Sequence, residues 1–147
     1  MSVPFSRIYD KFFYSINDYE LLSLAEDETE DILFNYLENS IVEFKKCKKL
    51  NNHIDKEMQQ FTVDLTLEEI YILSLGMVLS WLSPQINRLN LLRQSLGDRD
   101  FKLSSNWHTL NSLRELEYKT RNDLERKITS YTYNNLERDY QVKWLII

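Results

Sequence analysis

Few residues in this 147-residue chain have the type and spacing that catalysis requires. There are two histidines, His53 and His108, and one cysteine, Cys47. Zinc sites are built from such residues at short, fixed spacings, and neither HExxH nor CxxC occurs. A nucleophile elbow of the GxSxG type and a glycine-rich phosphate loop are also missing. Glu26/Glu30 and Asp27/Asp31 have the i,i+4 spacing that puts two carboxylates on one helix face. A di-metal helical bundle also needs ExxH partners, and His108 has Ser105 three positions earlier. These acids read as the solvated start of a helix, with no metal and no cofactor expected. Cys47 lies between Lys46 and Lys48, which favours the thiolate, but the simpler reading is a reduced thiol near a helix end. Lys45-Lys46-Cys47-Lys48-Lys49 is the one basic run that could meet phosphate. It lacks interleaved aromatics, and cations at a helix C-terminus explain it more simply. The expectation is a protein that is not an enzyme.

The totals agree with an interaction role. One domain of this length can bury a real core. There are 19 aromatics (nine Tyr, seven Phe, three Trp), which suits a dense core and also interfaces. The net charge of −5 hides an asymmetry. Residues 12–44 hold nine acids and no Lys or Arg, so the remainder, with 14 acids and 18 bases, is +4. That is not the basic footprint of a general DNA binder. It suits a surface that lies near DNA without adhering, or acidic and basic faces that pair between subunits. A single cysteine excludes an internal disulfide and fits a reducing compartment. The first residues do not read as a signal peptide, and no run of 18 apolar residues predicts a membrane span.

The elements that must position these residues are mostly helical, because two Gly and two Pro are too few for a turn-rich sheet protein. Pro4 suits a first helical turn, and Phe5, Ile8, Tyr9, Phe12, Phe13 and Ile16 predict a helix over 5–16. A second helix is expected from Ala25–Thr29, with acids in its first turn and Lys45, Lys46, Lys48 and Lys49 in its last. Residues 50–60 read as a surface loop, and Phe61, Val63 and Leu65 as a short strand. Thr66-Leu67-Glu68-Glu69 is a capping box, in which the Thr hydroxyl and the Glu carboxylate each satisfy the other's amide. The helix behind it is apolar all round to Leu82, hence central, with Gly76 permitting close approach. Ser83-Pro84 is expected to stop or kink it, giving a fourth helix over 84–96 that Gly97 closes. After a linker anchored by Phe101, a last helix from Ser104 or Ser105 runs to about Tyr133, roughly 45 Å. A domain of this size is only about 40 Å across, so that helix must kink or protrude.

Residues 140–147 read Tyr-Gln-Val-Lys-Trp-Leu-Ile-Ile. Tyr140, Val142, Trp144 and Ile146 alternate with polar positions, a strand-like period of two, and Leu145 and Ile147 make the second face apolar. Such a segment needs a cover, on its own domain or on another subunit. Pairing with the strand near Phe61 is one expectation; docking on a partner is the other. The reading is an all-α bundle of about five helices over 1–134, with one long C-terminal helix, then a short strand-like docking tail over 135–147.

One family shares this pattern. Leu65-Thr66-Leu67-Glu68-Glu69-Ile70-Tyr71-Ile72-Leu73, followed by Met77 and Trp81-Leu82, resembles small helical proteins of tailed-phage structural modules. These show an Asp-rich lead-in, a Leu-Thr-x-Glu-Glu-Ile helix start and a Met-x-x-x-Trp-Leu ending. The Ser-capped stretch after Asp100-Phe101, as far as Leu110, is also similar. Over roughly residues 30–130 the pattern resembles head–tail connector (adaptor, head-completion or neck) proteins. The resemblance implies an all-helical virion protein, made in the bacterial cytoplasm and built into the neck. Copies would form a ring, typically of about twelve, between the portal and a tail or neck protein. Tyr140, Val142, Trp144, Leu145, Ile146 and Ile147 would dock on a neighbour. Glu26, Asp27, Glu28, Glu30 and Asp31 would face a channel through which DNA passes as non-specific cargo, with no membrane involved. The competing reading is an acidic cytoplasmic regulatory or inhibitor module that acts by protein–protein binding.

Overall fold

The hydrophobic pattern of the central segment decides the architecture. In the computed structural model, which describes residues 2–17, 25, 28–45, 47, 50 and 53–146 (side chains to 135), that segment is one helix surrounded by the others. Five helices are described: α1 (Phe5–Asn17), α2 (Glu30–Glu43), α3 (Leu67–Leu96), α4 (Asp98–Lys102) and α5 (Asn106–Ile146). α1, α2 and α5 all pack on α3. Ile70, Ile72, Leu73, Met77, Val78, Trp81 and Leu82 are fully or almost fully buried, as a helix apolar on every face must be. α1 contributes Phe5, Ile8, Phe12 and Ile16, and the Phe12 ring meets Trp81 edge-on at 6.2 Å. The all-α bundle with one long last helix is therefore correct.

The capping box forms as its spacing predicts. Glu69 N–H donates to the Thr66 hydroxyl at 3.1 Å, and Thr66 N–H donates to the Glu69 carboxylate at 2.8 Å. Close approach at Gly76 is equally literal. A Cβ there would lie 2.1 Å from Ser40 Oγ of α2, so only glycine fits. Ser40 Oγ also donates to the Leu73 carbonyl at 2.7 Å, which binds α2 to α3 at that point.

Four expectations need correction. Ser83-Pro84 does not divide the central helix: α3 runs unbroken for 30 residues with Pro84 inside it. Proline removes one amide donor, but Pro84 is exposed, and the carbonyl it leaves belongs to Ser80, which borders an open groove. α5 bonds to Glu69 before Pro84 and to Asn90 after it, and so bridges the two halves. Second, α2 ends before the lysine run. Phe44 caps it with φ −95° and ψ 53°, its N–H shared between the Ser40 and Ile41 carbonyls. This turn carries Phe44 and Cys47 into the core, so burial of Phe44 wins over continuing the helix toward Lys45. Lys46, Lys48 and Lys49 lie outside the described residues.

Third, the strand at Phe61 is shorter than expected, without Val63 and Leu65, and its partners differ. β1 (Val3–Pro4), β2 (Ile54–Asp55) and β3 (Gln60–Phe61) form a small antiparallel sheet in the order β1-β3-β2. Val3 and Ile54 both stand opposite Phe61. Pro4 thus ends an edge strand instead of opening α1, a place where its missing N–H costs nothing. Residues 50–60 hold part of a hairpin, whose turn places Gln59 at φ 51°. Fourth, residues 140–146 are not a strand: the backbone is helical through Ile146. No Gly or Pro lies between Asn106 and Ile146, so no strong helix breaker interrupts α5. Four alternating residues cannot outweigh an established helix. α5 is then 41 residues long, about 60 Å, and passes Asn134 and Asn135 without a break.

Candidate functional site: a groove on the bundle and a buried carboxylate

α3 and α5 run antiparallel. Arg114 Nη2 donates to Asn90 Oδ1 at 2.8 Å near one end, and Tyr131 OH donates to Glu69 Oε2 at 2.7 Å near the other. Leu116 and Leu124 between them, and Leu110 and Leu113 just before Arg114, are buried. Two features result, one internal and one at the surface.

The internal feature is centred on Glu69, which is only 1% exposed. Its first carboxylate oxygen closes the capping box. The second accepts from Tyr131 OH and, at 3.2 Å, from the Cys47 thiol. The Phe44 ring stands edge-on to Tyr131 at 4.9 Å. Three elements thus converge: the start of α3, the segment after α2 and the second half of α5. Burial, then hydrogen bonding with Cys47 and Glu69, pushes the Tyr131 phenol far above its usual range. It therefore stays a donor, as a buried carboxylate requires. The cluster is a lock between helices. Glu69 does not border the groove described next.

The surface feature is a groove of about 320 Å³ between α2 and α5, floored by α3. Gly76, Ser80 and Ser83 of α3 share the floor with Leu79. Asn39 and Glu43 form one wall, and Arg121, Leu124, Glu125 and Ile128 the other. Asn39 Nδ2 donates to Ser80 Oγ at 2.8 Å across the first junction. Gly76 is closed off by Ser40 and Ser80 is bonded to Asn39, so the open part of the floor lies at Leu79 and Ser83. Two carboxylates, one guanidinium, one amide and two hydroxyls around aliphatic side chains make a surface that can hold a peptide segment. It has no nucleophile paired with a base. No group of three or more His, Cys, Asp or Glu able to hold a metal occurs among the described residues.

The residues singled out from sequence are not gathered into this groove. Glu28 accepts from Tyr36 OH at 3.3 Å, and burial followed by Glu28 raises that phenol to about 12. Glu30 and Asp31 open α2 as exposed residues behind the Thr29 cap. The groove lies toward the other end of α2, at Asn39 and Glu43. Glu26 and Asp27 lie outside the described residues. Tyr140, Val142, Trp144, Leu145 and Ile146 belong to the last turns of α5, but their side chains are not among those described, and Ile147 lies outside. Sequence reasoning found Glu69 as a cap and missed its second partner, because Tyr131 is 62 residues away. It also missed the groove. Its walls come from α2 and α5, dozens of residues away from the floor on α3.

Comparison with protein-family models, curated proteins and solved structures finds no match to this chain. No described helix is long and apolar enough to cross a membrane. What the protein does must then be argued from its own geometry.

Proposed function

We propose that the chain is a structural subunit of a tailed-phage neck, forming a ring between the portal and a tail or neck protein through which DNA passes. The observation that supports this reading is the reach of α5. Tyr131 is level with Glu69, two residues into α3, yet α5 continues to Ile146. Fifteen further residues carry it about 22 Å beyond the level of Glu69. A helix that continues past its contact with Glu69 and carries Trp-Leu-Ile in its last turn is suited to docking on another chain. The resemblance in the central segment supplies the setting, and a ring of about twelve copies is what it implies.

Light-scattering mass and electron micrographs of the purified chain test the reading. The expected result is an open ring; a stable dimer with salt-sensitive binding through residues 18–43 would favour the regulatory module instead. The acidic start of α2 has its own test. Reversing Glu26, Asp27, Glu28, Glu30 and Asp31 to Lys is expected to impair DNA passage, because a basic wall would hold phosphate. Unchanged infectivity would remove these residues from the channel.

A further inference from the structure

We propose that the groove between α2 and α5 receives the last turns of α5 from a second copy of the chain. The inference rests on the assembly reading above and names the contact that would build the assembly. The first argument is reach. Ile128 is the last groove residue on α5, and Trp144 lies 16 residues further along the same unbroken helix. That is about 24 Å, directed away from the groove, so no copy can fill its own. A neighbour can.

The second argument is chemistry. The incoming segment reads Tyr-Gln-Val-Lys-Trp-Leu-Ile, with one cation next to the tryptophan. The groove offers aliphatic surface from Leu79, Leu124 and Ile128, and exposed carboxylates from Glu43 and Glu125. Lys143 would meet acid on either wall while Trp144 occupies the floor. Aromatic anchors set in a central pocket with a charged rim are the usual source of binding energy in such contacts. Ser83, small and exposed on the floor, leaves room beside Leu79 for an incoming side chain.

The third argument is symmetry. A groove on one copy and a tip on the next make a head-to-tail contact, which propagates and closes into a ring when its rotation allows. The contact therefore predicts an assembly with one groove and one tip used per copy.

Two full-length variants test it. Ser83→Arg fills the groove from an exposed position, and Trp144→Glu spoils the tip. Each alone is expected to fall from the wild-type oligomer to monomer by light scattering. Mixed in equal amounts they should give a one-to-one dimer and nothing larger, since one intact groove and one intact tip remain. Glu125→Lys, also exposed, is a second groove variant that should weaken assembly by about tenfold through loss of charge complementarity. A wild-type oligomer unchanged by both groove variants would overturn the inference and leave the assembly reading standing. Two monomeric variants that fail to complement each other would also overturn it. A wild type that stays monomeric at high concentration would remove both.

Discussion

The two halves of the long helices teach different lessons. Around the first half of α3, burial is dense: Phe12, Trp81, Leu37 and Phe61 are fully buried, and α2 approaches so closely that Gly76 has no room for a methyl. Along α5 between Tyr118 and Tyr133, burial is one-sided. Leu124 is buried and Ile128 half-buried, while Tyr118 and Tyr133 are 73% and 61% exposed. The first region obtains its stability from burial and tolerates little change. The second is a rod held by a line of contacts and one polar lock, with most of its surface available. A fold can in this way keep its stability in one place and leave a long surface open for partners.

Substitutions should separate the two regions, and the largest loss is expected at the centre. Trp81→Ala removes the largest fully buried side chain and should lower stability by about 3–5 kcal/mol, read from urea unfolding. Gly76→Ala should cost about 1–3 kcal/mol, because its methyl meets Ser40 Oγ. Adding Ser40→Ala should return part of that loss, and a double-mutant cycle with no coupling would show that α2 moves aside instead.

Tyr131→Phe should cost about 1–3 kcal/mol, since Glu69 stays buried with one donor fewer. It also has a pH signature. The folded-state phenol is raised, so the stability it contributes is complete below the unfolded value near 10 and is lost as pH rises beyond it. Tyr9 and Tyr36, both raised to about 12 chiefly by burial, act in the same direction between about pH 10 and 12. Wild-type melting temperature should fall steeply above pH 10, and less steeply in Tyr131→Phe. An equal slope in both would mean that the phenol is not held protonated. The smallest effect belongs to the open surface: Tyr118→Ala and Tyr133→Ala should each stay within about 0.5 kcal/mol by the same unfolding assay.

What could be read from sequence follows physical range. The capping box depends on residues three apart, and the buried central helix and the glycine at its close approach show within one segment; all three are present. The errors arise where a local signal was weighed without its surroundings. Pro84 reads as a break until α5 is known to lie along both sides of it. The alternation at Tyr140 to Ile146 reads as a strand until the missing Gly and Pro upstream are counted. The lysine run reads as a helix end, yet Phe44 leaves the helix first because the core holds a place for it. The lock and the groove were out of reach, because each is made by residues dozens of positions apart.

The uninterrupted length of α5 has a mechanical meaning as well. With no glycine or proline along it, the helix behaves as a stiff lever whose fulcrum is the contact of Tyr131 with Glu69. A tilt of about 10° at that pivot would swing the tip by about 4 Å over the 22 Å beyond. Small torques applied at the end of α5 would thus be felt at a buried hydrogen bond. Strain there could report to the bundle whether the tip is loaded.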